Sequence, residues 1–177
     1  MANKWAEKPS YDAEARVLAS LCERCEGKCC MGHHIVLSRQ EFQNLKKVLD
    51  FPQGRIDSPT GVAMESIDAV KHRRCPFLGT KEIKGRKKTS CILEGDMKPL
   101  VCRMFPVTFA LERGRIEYFL SKKCPFAGEV SALQKWIDET VRISGLELGV
   151  KWSGKELRCF GIFLKKNRED FLDLPGR

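Results

Sequence analysis

The sequence predicts a single small α+β domain, helix-rich, with short β-hairpins around a multi-cysteine metal site. Three observations carry that expectation. Helical apolar spacing dominates both ends of the chain, short alternating runs broken by glycine occupy its middle, and most of its nine cysteines fall where elements end or turn. At 177 residues there is room for one ordinary domain, and two would be cramped.

Composition narrows the class further. A hydrophobic fraction of 42% and a charged fraction of 31% belong to a soluble globular chain rather than a disordered one. No apolar run approaches the roughly 18 residues that span a bilayer. The opening "MANKWAEKPSYDAEAR" carries acidic residues and lacks the apolar centre of a signal peptide. These features predict a cytoplasmic protein with no membrane partner. In that reducing compartment, clustered cysteines are metal ligands or redox centres more often than disulfides, and an odd number leaves one thiol over.

The elements follow in order. "YDAEARVLASLC" (11–22) reads as a helix with Ala15, Leu18, Ala19 and Cys22 on one face, and the Gly27 turn then brings Cys29 and Cys30 back towards Cys25. In "HIVLSRQEFQNLKKVLD", Ser38 and Glu41 form a capping box ahead of a stripe of Phe42, Leu45, Val48 and Leu49. Pro52 and Gly54 end that helix, and "SPTGVAMESIDAVKHRR" reads as a loop with a short helix or irregular segment. From Cys75, turn signals at Gly79 and Gly85 predict a basic hairpin leading to Cys91. Asp96 and Pro99 then open a brief helix holding Cys102. "VTFALERGRIEYFL" alternates about an Arg113–Gly114 turn, a second hairpin. After Cys124 the chain is expected to be helical over about 128–177: a helix with Val130, Leu133, Ile137 and Val141 inward stops at Gly145, and a closing helix buries Leu157, Phe160, Phe163 and Leu164.

Chemistry resides in the cysteines. The stretch "CERCEGKCC" opens with C-x2-C, and later cysteines sit at turns, where a bending backbone can gather ligands. Cys75-Pro76-Phe77 recurs as Cys124-Pro125-Phe126, and each proline restrains its cysteine to an extended conformation. Neighbouring side chains of an extended segment point apart, so Cys29 and Cys30 are expected to serve different irons or different metals, or one of them to fill the core.

The order C-x2-C-x3-C-C at 22–30, C-P-F-L at 75–78, C-I-L at 91–93, K-P-L-V-C-R-M-F-P at 98–106 and C-P at 124 resembles the cysteine-cluster family of zinc- or iron-chelating domain proteins. It is also similar to the cysteine cluster of flagellin lysine N-methylases. The resemblance covers residues 22 to about 126. It implies an eight-cysteine ligand set of Cys22, Cys25, Cys29, Cys30, Cys75, Cys91, Cys102 and Cys124, with Cys159 outside it. It supplies a metal site without a reaction. One departure is visible: the family's usual Arg-Pro is Lys98-Pro99 here, which keeps the charge and loses a bidentate donor.

Scattered single cysteines converging with one C-x2-C suit an iron–sulfur cluster of the 4Fe–4S type, which accepts thiolates from several directions. Eight cysteines also divide into two closed Zn2+ sites of four thiolates. The cluster is the favoured expectation, with zinc as the alternative. Arg103 is expected at the cofactor, donating to a cluster sulfur or balancing site charge, against a structural ion pair as the other reading. His33 and His34 are read as spectators beside eight thiols, His72 as part of a solvated face, and Cys159 as a core residue.

The formal charge of +9 hints at nucleic acid, yet eight thiolates around two divalent metals or two cluster cores would leave about +5. The basic stretches at 71–74, 84–88 and 122–123 are therefore read as charge compensation or solvated hairpins before phosphate contacts. Three functions follow. The first is a metal-binding protein acting in electron transfer, metal handling or structural support, with metal ions and a redox partner. The second is a lysine N-methylase-like enzyme acting on a protein substrate. The third is a zinc-stapled nucleic-acid-binding module. No P-loop, G-x-S-x-G, dinucleotide fingerprint or H-E-x-x-H is present.

Overall fold

Two hydrophobic clusters organise the chain, and a three-stranded sheet stands between them. The computed structural model describes residues 9–25, 27–31, 34–57, 63–68, 73–83, 85–93, 95–166 and 168–174. Helices and small antiparallel sheets alternate along it, the α+β class expected from the sequence.

Helix α1 (Pro9–Cys25) buries Leu21 and Cys25 and half-buries Ala15 and Leu18. Ala19, expected on that face, is exposed, and Leu21 carries the burial in its place. A 3-10 turn (Lys28–Cys30) follows, entered through Gly27 at φ +77°. Strand β1 (His34–Leu37) leads to helix α2 (Arg39–Val48), whose capping box is formed as predicted: Glu41 N–H donates to Ser38 Oγ, and Ser38 N–H to Glu41 Oε2.

Strands β2 (Gln53–Asp57) and β3 (Ala63–Asp68) complete a sheet of order β1-β3-β2. The loop with a short helix or irregular segment expected over 58–74 is corrected to a strand, β3, and β2 precedes it where only the end of α2 was expected. Central strand β3 takes ladder bonds from both neighbours, and Met64, Ser66 and Ile67 are all buried. Val36 of β1 joins one cluster while Ile35 and Leu37 join the other. A strand buried on both faces shows no polar alternation, so its sequence signal is weak.

The two predicted hairpins are present, β4 (Leu78–Ile83) with β5 (Arg86–Cys91), and β6 (Val107–Glu112) with β7 (Arg115–Ser121). Arg113 and Gly114 both hold positive φ at the second turn, the conformation that suits a two-residue hairpin. Between the hairpins, helix α3 (Leu100–Met104) carries Cys102. The last part differs from expectation in two ways. Helix α4 (Ala127–Ser131) breaks before α5 (Gln134–Lys151), and α5 runs through Gly145 instead of stopping there. Helix α6 (Gly154–Lys166) closes the core with Phe160 and Leu164, and β8 (Phe171–Asp173) adds an edge to β7 that the sequence reading lacked.

The first cluster lies between β6–β7 and α5–α6, where Phe109 packs edge-on against Trp152 and Phe160 at centroid distances of 5.2 and 4.9 Å. The second lies under α2 and the β4–β5 hairpin, with Phe51 between Phe42 and Phe77. Among the described residues no helix is long and apolar enough to cross a membrane.

Candidate metal centre

No disulfide joins any of the nine cysteines, all of which are described. Cys22 and Cys25 lie one turn apart in the last turns of α1, so the helix sets both on neighbouring positions of one face. Gly27 then reverses the chain. A side chain there would suffer twice, from the left-handed backbone and from a Cβ placed 2.9 Å from Leu78 Cδ1. The reversal brings Cys29 and Cys30 into the 3-10 turn, where Cys30 N–H donates to the Gly27 carbonyl at 2.8 Å.

The expectation for the Cys-Cys pair assumed an extended chain. In the 3-10 turn the two sulfurs are 3.8 Å apart instead of opposed. Cys75 docks directly on this segment, its N–H donating to the Cys30 carbonyl at 2.6 Å. Cys91 ends β5 opposite Leu78, which places it beside the Cys75 turn. Cys102 comes from α3, which also sends Leu100 and Met104 into the first cluster.

The repeated Cys-Pro-Phe is one turn built twice. Leu78 N–H donates to the Cys75 carbonyl at 3.1 Å, and Ala127 N–H to the Cys124 carbonyl at 3.1 Å. In each turn the phenylalanine N–H, from Phe77 or Phe126, acts on the cysteine itself and favours its thiolate. Proline suits the second position because its φ is preset for the turn. A backbone N–H directed at sulfur is a contact that a thiolate ligand uses.

Five of the thiols are held above the ordinary range, by burial and by one another. Burial pushes Cys102 well above the ordinary thiol range, with the nearby Cys75 adding to the effect. Cys75 is pushed up to about 11, chiefly by burial and further by Cys91. Cys124 is raised by burial and then by Cys25, Cys22 and Cys29. Cys22 is exposed, yet neighbouring protein still desolvates its thiol, and Cys29 and Cys25 add repulsion. Cys29 is raised first by its contact with Cys30 and then by burial. Thiols that oppose one another's ionisation this way are relieved by a bound cation.

Lys98 is the residue that sequence reasoning underweighted. Its ammonium lowers the cost of ionising Cys22, Cys29 and Cys102, which come from three different elements. The signal available was its place in the Lys98-Pro99 variant of the family element. Arg74 acts similarly on Cys75, and its guanidinium also donates to the Leu78 carbonyl.

Arg103 donates through Nη1 to Glu147 Oε1 at 2.9 Å and pairs through Nη2 with Oε2, while its Nε donates to the Lys98 carbonyl at 3.1 Å. It ties α3 to α5 and holds the Lys98 backbone. Lys122 and Lys123 engage the Glu169 carbonyl and Asp170. Cys159 is buried in the first cluster, the place expected of a core residue. His33 and His72 lie outside the described residues, and His34 is placed by its backbone in β1 opposite Asp68.

Among the described residues no group of three or more Cys, His, Asp or Glu side chains is drawn together tightly enough to hold a metal ion. The donor set nevertheless fits one. Eight soft thiols are present, two with N–H contacts to sulfur and four with Lys98 or Arg74 nearby, which suits zinc or iron–sulfur chemistry. A family model labelled CxxCxxCC and described as "Putative zinc- or iron-chelating domain" matches residues 21–126, more than half of the chain. The label spells two residues ahead of the Cys-Cys pair where this chain has Glu26, Gly27 and Lys28. No curated protein and no solved structure matches the chain.

Proposed function

Since the chain belongs to that zinc- or iron-chelating family, we propose that it holds its metal through Cys22, Cys25, Cys29, Cys30, Cys75, Cys91, Cys102 and Cys124 and serves in electron transfer or as a metal-supported structural module. The observation that carries this reading is the gathering of cysteines from both ends of the matched region: Cys75 N–H donates to the Cys30 carbonyl, the Cys29 and Cys30 sulfurs lie 3.8 Å apart, and Arg24, between Cys22 and Cys25, lies over Phe126 of the Cys124 turn. The protein's residues supply soft ligands, N–H donors at Cys75 and Cys124, and the charges of Lys98 and Arg74. When bound, an iron–sulfur cluster would supply one-electron chemistry. Ligation by thiolates alone leaves no coordination position for substrate, which favours electron carriage or support over hydrolysis.

Iron–sulfur is the first reading because the ligands come from six separate segments: α1, the 3-10 turn, the two Cys-Pro-Phe turns, β5 and α3. Zinc is the second, favoured by a ligand number that fills two four-thiolate sites.

Metal and sulfide analysis of protein purified without oxygen tests the proposal. Brown protein absorbing near ~400 nm with iron and inorganic sulfide supports the cluster. Colourless protein with tightly held zinc supports the second reading. Protein that carries neither metal, and whose stability is indifferent to added zinc, iron or chelator, overturns both.

A further inference from the structure

The eight thiols do not pack alike. Cys30, Cys75, Cys91 and Cys102 all belong to or pack against the second hydrophobic cluster, whereas Cys22, Cys25, Cys29 and Cys124 belong to neither cluster. Three of the first group are tied together by backbone, and Cys102 joins them through the cluster. Cys75 N–H donates to the Cys30 carbonyl, Ile92 N–H donates to the Phe77 carbonyl at 2.8 Å, and Cys91 faces Leu78 across the hairpin. The other group is tied through α1. Arg24, between Cys22 and Cys25, lays its guanidinium over the Phe126 ring at 4.8 Å, which anchors the Cys124 turn to the end of the helix.

From this we infer that the cysteines form two separate four-thiol metal sites, one from Cys22, Cys25, Cys29 and Cys124 and one from Cys30, Cys75, Cys91 and Cys102. The peptide bond between Cys29 and Cys30 is the seam. The inference rests on the metal-chelating reading above and adds how many centres there are and which ligands serve each.

A sulfur separation of 3.8 Å between Cys29 and Cys30 resembles the edge of one zinc–thiolate tetrahedron, roughly 3.8 Å for bonds of about 2.3 Å. Cys30 packs against the second cluster and Cys29 against neither, so in the inferred division that contact runs between the two sites.

Native mass spectrometry and metal analysis of full-length protein test the division. Cys22→Ser, Cys124→Ser or the two together should each halve the metal per chain. Cys91→Ser or Cys102→Ser should likewise halve it, and pairing one change from each group should abolish it. A folded single variant that loses all its metal overturns the two-site inference while leaving the metal-chelating proposal intact. Unsubstituted protein that takes up no zinc, cadmium or iron sinks the proposal itself. Where variants fail to fold, cadmium-113 NMR of the unsubstituted protein decides: two all-sulfur signals are expected, and a single signal overturns the inference.

Discussion

Glu41 Oε1 accepts the Leu100 N–H at 2.7 Å while its Oε2 accepts the Ser38 N–H at 2.8 Å. One buried carboxylate therefore completes the capping box of α2 and caps α3, the helix that presents Cys102. Glu156 does the same one step earlier, accepting from Ser153 in its own capping box and from Arg39 N–H at the start of α2. Helix starts are thus linked from α6 to α2 to α3.

Replacing Glu41 tests the link. Glu41→Ala strands two backbone donors, one at each helix, and should cost about 2 kcal/mol, a fall in Tm of roughly 4–8 °C for a chain of this size. Thermal unfolding of the metal-free protein is the measurement. A variant as stable as the unsubstituted protein would show that the shared cap contributes nothing.

Gly27 sets the approach of the Cys-Cys pair to Leu78. Gly27→Ala should destabilise by about 1–2 kcal/mol from backbone conformation alone, with the Leu78 contact added. Gly27→Asn carries the same Cβ but tolerates positive φ better, so denaturant unfolding should rank glycine above asparagine above alanine. Equal stability of asparagine and alanine would assign the whole effect to Leu78.

The Arg103–Glu147–Lys151 group gives a pH dependence. Burial works against ionising Glu147, but the bonds from Arg103 and Lys151 outweigh it and hold the carboxyl below its ordinary value of 4.5. A carboxylate whose folded pKa is depressed contributes stability above its unfolded pKa and loses it as pH falls through the folded one. The stability difference between unsubstituted protein and Glu147→Gln should therefore be level above about pH 4.5 and close at lower pH. Its plateau should be roughly 1 kcal/mol, since the group is partly exposed. A difference that persists unchanged at acid pH contradicts this assignment.

Lys98 should matter for metal and little for folding. Lys98→Met removes the cation that eases ionisation of Cys22, Cys29 and Cys102. Metal retention against a competing chelator should fall about fivefold, the equivalent of a charge interaction on the order of 1 kcal/mol. Lys98→Arg should restore most of it, and equal retention in all three proteins would remove Lys98 from the site.

Much of this was legible in sequence where one residue type dictates local geometry. The Ser38–Glu41 box, the Arg113–Gly114 turn and the Cys-Pro-Phe repeat all appear where their spacing put them. What escaped was set by tertiary contact. Strand β3 carries Glu65 and Asp68 beside buried Ser66 and Ile67, a mixture that reads as loop until both neighbouring strands are in place. Gly145 looked like a helix stop, but a Cβ there would lie 3.3 Å from Tyr118 Oη, so close packing of α5 on β7 explains the glycine without ending the helix. The eight-cysteine set is what the resemblance to the cysteine-cluster family implies. Their different packing could not be read from sequence, because it depends on which cluster each element reaches.

X-ray absorption spectroscopy at the edge of the bound metal tests the central claim most directly. Cysteine-only ligation predicts a first shell of sulfur, at about 2.3 Å for zinc, with no nitrogen or oxygen neighbour. Nitrogen or oxygen in that shell would contradict it and place a histidine, carboxylate or water on the metal.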